Sequence, residues 1–122
     1  MAARAPRRRV LIVEDEQALR ASYQRFFADQ FDLAFAGTGA EALTQLAEFS
    51  PEVMVLDLRL PDTDGIALLQ RVRESHPALP VVVTTAYVSM EPLMNVLDLG
   101  HSGYLVKPFD LNELAARINA AR

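Results

Sequence analysis

Val10-Leu11-Ile12-Val13-Glu14-Asp15-Glu16 runs four apolar residues, three of them β-branched, straight into three carboxylates. Apolar residues in sequence, with no polar alternation, read as a strand buried on both faces, the habit of a parallel sheet covered by helices on each side. The acids then mark the C-terminal end of that strand. Two further stretches repeat the arrangement: Val53-Met54-Val55-Leu56 runs into Asp57, and Tyr104-Leu105-Val106 runs into Lys107-Pro108. Lys107 is the single lysine in a chain that otherwise uses arginine. Its compact ammonium on a flexible stem can contact one anionic oxygen where a guanidinium fork would demand two. Carboxylates repel a bare anion, so acids and a lysine gathered at one sheet edge point to a divalent cation beside that anion.

Working outward, five apolar segments (10–13, 31–36, 53–56, 81–84 and 104–106) alternate with five stretches of helical period (17–29, 40–49, 66–75, 90–99 and 111–121). That alternation predicts an α/β fold with helices on both faces of a parallel sheet. Asp110 is placed to cap the last helix, whose apolar stripe is Leu111, Leu114, Ala115 and Ile118. Asp64-Gly65 opens the third helix, and Gly100 closes the fourth. Asp32 within 31–36 marks an edge strand. In such a sheet the ligand crevice lies beyond the strand C-termini, where strand order reverses. There the first and third strands deliver Asp15 and Asp57, and the fourth and fifth are followed by Thr84-Thr85 and Lys107.

At 122 residues and 51% hydrophobic content, the chain is one ordinary domain that can bury roughly two-thirds of its unfolded surface. It holds no cysteine, so neither a disulfide framework nor a thiolate metal site is available. No apolar stretch approaches membrane-spanning length and no signal-peptide segment leads the chain, so a cytoplasmic protein is expected, without a membrane partner. The net charge of −4 hides an asymmetry: Arg4, Arg7, Arg8 and Arg9 precede the first strand. Residues 10–122 therefore form an acidic body, which argues against direct nucleic-acid binding. The arginine-rich residues 1–9 read as a solvated leader without function, ahead of a domain over 10–122.

The acidic pair after strand one, the lone aspartate after strand three followed by Leu60-Pro61-Asp62-Thr63-Asp64-Gly65, Thr85-Ala86 after strand four, and Tyr104-Leu105-Val106-Lys107-Pro108-Phe109 are each weak signals. In this order and spacing the chain resembles the receiver domain of two-component response regulators, from Val10 to about Ala121. The resemblance implies a doubly wound, flavodoxin-like (βα)5 sheet of order 2-1-3-4-5. It implies that Asp57 accepts a phosphoryl group from the phosphohistidine of a sensor histidine kinase or phosphotransfer protein. It implies magnesium held by Asp15 and Asp57, by Glu14 through a water, and by the backbone carbonyl of Arg59. Thr85, the backbone N–H of Ala86 and Lys107 would bind the phosphoryl oxygens, with a cis peptide before Pro108 turning the lysine into the crevice. Thr85 and Tyr104 would carry the switch to the surface of the fourth helix, fifth strand and fifth helix. A signalling module rather than a metabolic enzyme is implied, with an effector domain outside this chain and a phosphorylation-dependent homodimer as further expectations.

Other readings fit the residues less well. A flavin mononucleotide carrier of this topology needs a Gly/Ser/Thr-rich phosphate loop after strand one, where Glu14-Asp15-Glu16 supplies the wrong charge. A phosphatase with an aspartyl intermediate would place its nucleophile after strand one. A degenerate receiver serving only as a scaffold is disfavoured by retention of the whole acid, hydroxyl and lysine set. Glu16 complements the dipole of the first helix. His76 reads as a helix C-terminal partner, and His101 has no metal-binding companion. Arg59 and Tyr87 flank the path of hydrolytic water, and Asp62 and Asp64 shape the turn and cap the third helix.

Overall fold

The computed structural model describes residues 7–86 and 103–121. In chain order these form β1 (Arg8–Val13), α1 (Gln17–Phe27), β2 (Phe31–Ala36), α2 (Gly39–Phe49), β3 (Val53–Asp57), α3 (Gly65–Ser75), β4 (Val81–Thr85), β5 (Gly103–Val106) and α4 (Leu111–Ala120). The helix expected over 90–99, together with Tyr87, Gly100 and His101, lies outside the described residues. The strands pair in parallel in the order β2-β1-β3-β4-β5, as the resemblance implied. The chain leaves β1 for β2 on one side and returns to β3 on the other, so the order reverses beside β1. Strand ends therefore open a crevice there.

Alternation along the strands sorts their side chains onto two faces. Leu11, Val13, Met54, Leu56, Val81 and Val83 pack with Leu46 of α2 and Leu69 and Val72 of α3. On the other face Val10, Ile12, Val55, Val82 and Leu105 pack with Tyr23 and Phe27 of α1 and Leu114 and Ile118 of α4. Each such fully buried aliphatic side chain contributes about 1.5–3 kcal/mol. These two layers leave the polar ends of β1, β3 and β5 as the place where chemistry can sit.

One close approach fixes the end of β3. The N–H of Gly65 donates to the carbonyl of Leu58 at 2.9 Å. A Cβ at position 65 would lie 2.4 Å from Leu58 Cα and 2.7 Å from that carbonyl oxygen, against backbone that cannot swing aside. Gly65→Ala should lower unfolding stability by about 1–3 kcal/mol in urea titrations followed by circular dichroism, because α3 must back away from the strand end. An unchanged midpoint would contradict this contact.

Two expectations need correction. Arg8 and Arg9 belong to β1, and Arg7–Arg9 are not a free leader. Arg7 Nη1 donates to the carbonyl of Ala28 at the end of α1 (2.8 Å), and Arg9 Nε donates to the carbonyl of Ser50 after α2 (3.0 Å). Arg8 donates from Nη1 to the carbonyl of Ile118 at 2.6 Å and from Nη2 to that of Ala121. The last carbonyls of a helix have no partner inside it and form its negative end, so guanidinium groups are drawn there. Arg8→Ala should cost about 1.5 kcal/mol, the usual value for hydrogen bonds from a charged donor, read as a lower unfolding free energy. The second correction concerns Asp62. Asp64 caps α3, accepting from the N–H of Ile66 at 2.8 Å, whereas Asp62 accepts from the N–H groups of Gly39 (2.7 Å) and Ala40 (3.1 Å). The β3–α3 loop crosses the start of α2, whose free N–H groups and positive dipole end attract an anion. Those hydrogen bonds, first that of Gly39, hold the Asp62 carboxyl below its usual range.

Candidate functional site

Register alone brings the acids together. Val13 pairs with Leu56, so the next residues, Glu14 and Asp57, emerge side by side; Thr85 pairs with Val106, so Lys107 emerges one step further along the same edge. Lys107 Nζ donates to Glu14 Oε1 at 2.6 Å and to Asp57 Oδ2 at 3.0 Å. The lysine side chain is 18% exposed, and the two carboxylate side chains only 1% and 4%. Backbone N–H groups hold the other oxygens: Arg59 donates to Asp57 Oδ1 at 3.0 Å, and Glu16 to Glu14 Oε2 at 3.2 Å. The Lys107–Pro108 peptide is cis.

Asp15, Glu16, Asp57, Arg59, Ala86 and Lys107 line a cleft of about 250 Å³. Asp15 stands exposed at its rim, and Glu14 lies buried behind the lysine. One carboxylate oxygen from each of Glu14, Asp15 and Asp57 falls within 4.8 Å of the others. Thr84 and Thr85 are both buried and do not line the cleft. Thr84 pairs with Asp57, whereas Thr85, like Tyr104, points to the face occupied by Val83. Tyr104 is half-buried against that core, and burial pushes its phenol up.

Electrostatics follow from the burial. Desolvation pushes the Glu14 carboxyl up to about 7, against the pull of Lys107 and with the help of the neighbouring Asp57 charge. For Lys107 burial works the other way, but the hydrogen bonds to Glu14 and Asp57 outweigh it and raise the ammonium to about 12. Tyr23, fully enclosed beneath the site, is pushed up to about 12, first by burial and then by the charge of Glu14. Two carboxylates, Glu14 and Asp57, thus share one ammonium, and Asp15 and Glu16 line the cleft beside them. Hard oxygen donors in excess negative charge suit magnesium, which keeps several of its own waters and needs few protein ligands. The residues present fit that ion.

One contributor escaped the sequence reading. Arg20 Nη1 donates to the backbone carbonyl of Glu14 at 2.7 Å. A signal existed: Arg20 lies in the first turn of α1, where the helix dipole disfavours a cation.

The sequence matches the family model of the response regulator receiver domain over residues 10–119. It is 39% identical to regulatory protein AtoC of Escherichia coli (strain K12) over 107 residues, 87% of this chain and 23% of AtoC. It is 38% identical to response regulator MprA of Mycobacterium leprae (strain TN) over 113 residues, 92% of this chain and 50% of MprA. The chain therefore spans half or less of these relatives. Among solved structures, the receiver domain of the Francisella response regulator 1452 superposes with a TM-score of 0.84 at 32% identity, covering 92% of this chain and 93% of that one. A CheY-like receiver domain protein from Methanospirillum hungatei JF-1 gives 0.88 at 26% identity, covering 93% and 91%. Matches of this extent, on a sheet whose edge collects these acids and this lysine, mean that the chain belongs to the response regulator receiver domains, the phosphoacceptor modules of two-component signalling.

Proposed function

We propose that Asp57 is the phosphoacceptor of this receiver. The observation that carries the reading is the Lys107 ammonium, shared between Asp57 and Glu14 at the mouth of a cleft that Asp15 rims. A carboxylate oxygen of Asp57 attacks the phosphorus of a phosphohistidine on a sensor histidine kinase or phosphotransfer protein. An O–P bond forms, the P–N bond breaks, and the imidazole leaves with its electron pair and takes up a proton. The Arg59 N–H on Oδ1 orients the nucleophile. Lys107, already at Asp57, turns from the carboxylates to a phosphoryl oxygen, and the Ala86 N–H and Thr85 hydroxyl bind the others. Magnesium would be held by Asp15 and Asp57, by Glu14 through a water, and by the Arg59 carbonyl, and it supplies neutralisation between an anionic nucleophile and an anionic donor.

Thr85 and Tyr104 form the switch in this reading. Both lie on the face opposite Asp57, on adjacent strands, so movement of the Thr85 hydroxyl toward the phosphoryl group vacates space into which Tyr104 turns. The chain's own catalysis is confined to phosphotransfer and autodephosphorylation, and its output passes through an effector domain or a phosphorylation-dependent homodimer. No described helix is long and apolar enough to cross a membrane, and the cytoplasm is the proposed location. The test is incubation with acetyl phosphate and magnesium, followed by intact mass and alkali treatment. One alkali-labile phosphoryl group, dependent on magnesium, is expected. No label, or a label indifferent to the metal, would overturn the reading.

A further inference from the structure

Helices α2, α3 and α4 each begin under a side-chain cap, from Thr38, Asp64 and Asp110, whereas α1 begins at Glu16 with none. The turn into α1 is the one that carries the acids, and the side chain of Glu16 at its N-cap makes no cap hydrogen bond. Glu14 is pinned at every polar atom. Its N–H donates to the Ala36 carbonyl at 2.9 Å, Oε1 accepts from Lys107, Oε2 accepts from the Glu16 N–H, and its carbonyl accepts from Arg20. The Asp15 carboxylate makes no hydrogen bond among the described residues, so its place is set by the backbone. Arg20 therefore ties this turn to α1 through the Glu14 carbonyl, a donor's bond to the strand end and not a cap on the helix N–H groups. Its guanidinium lies along Gly37, where a Cβ would stand 3.0 Å from Nη1, so the bare glycine leaves the slot open.

We propose that Arg20 is a positioning residue for the metal and phosphoryl site: its hydrogen bond to the Glu14 carbonyl holds the β1–α1 turn so that Glu14 and Asp15 aim at the same point as Asp57. This rests on reading the site as a magnesium-dependent phosphoacceptor. Arg20 touches neither ion nor phosphate, and acts through the backbone that carries the ligands.

The test is calorimetric titration of magnesium chloride into the intact chain, for the wild type, Arg20→Met, Arg20→Lys and Arg25→Ala, with melting curves alongside. Arg20→Met should weaken magnesium binding roughly 10-fold, as loss of an outer partner of a metal site does, with Arg20→Lys in between. Arg25→Ala removes the same charge from an exposed position on the same helix, and should stay within about twofold of wild type because screened surface charges contribute little. Labelling by acetyl phosphate at saturating magnesium should return close to the wild-type rate in Arg20→Met, which puts the loss in metal affinity. Unchanged affinity in Arg20→Met, with or without a lower melting point, would overturn the role of Arg20, and so would equal weakening in Arg25→Ala. If Arg20→Met does not fold, Arg20→Lys with wild-type affinity overturns it as well. A wild type that binds no magnesium would instead bring down the phosphoacceptor reading, and this proposal with it.

Discussion

Asp57→Asn is expected to fold normally and to take up no phosphoryl group from acetyl phosphate. The side chains match in volume, and the amide oxygen can still accept from the Arg59 N–H that now bonds Oδ1. What disappears is the nucleophile: a neutral amide has no anionic oxygen to attack phosphorus, and a second feature, one ligand charge for the metal, goes with it. The variant also removes the charge that helps to raise Glu14, leaving Lys107 to pair with Glu14 alone. The buried pair is then balanced, so urea unfolding should show stability equal to or above wild type. Intact mass after acetyl phosphate and magnesium reads the first outcome. Undiminished labelling of Asp57→Asn would move the acceptor to another residue.

Lys107→Met is expected to produce the largest loss of stability, and a loss that depends on pH. It leaves Glu14 and Asp57, side by side and nearly inaccessible, without their shared counter-ion. Removing one partner from a buried pair costs about 3–5 kcal/mol, and the low end applies because 18% of the lysine side chain still meets solvent. The sign of the pH effect comes from Glu14, which burial has already raised from 4.5 to about 7. Without Lys107 the influences that lowered it vanish, and the carboxyl rises further. A folded value above the unfolded one makes the contribution full at low pH and loses it as pH rises through the folded value. Below about pH 7 both proteins carry a protonated Glu14 and the deficit is the part due to the lost Lys107–Asp57 pair; above it the deficit widens. Urea titrations on either side of neutrality should show this, and millimolar magnesium should restore part of the loss at the higher pH. An equal deficit at both pH values would contradict the shared-cation picture.

Much of this was legible in the residues. Apolar β-branched runs located all five strands to within one or two positions, since a strand buried on both faces can contain little else. The acids and Lys107 were legible as neighbours because each stands at or just past a strand end, and strand ends of a parallel sheet lie on one edge, whereas the inward turn of Thr85, away from the cleft, shows only in the structure. Asp110 and Asp64 were legible as caps because capping is local, within three residues of the helix start.

Sequence by itself therefore determined the layers, the strands and the edge at which chemistry gathers. Tertiary structure alone decided who meets whom. Lys107 holds Glu14 across 93 residues, Arg8 grips Ile118 across 110, Asp62 serves α2 rather than its own neighbour α3, and Arg20 steadies the acidic turn. The physical reason is that hydrophobic period records only which face of an element is buried. Partners across the sheet depend on the register of β1 with β3 and of β4 with β5, and between interchangeable apolar side chains that register leaves no mark in the local pattern.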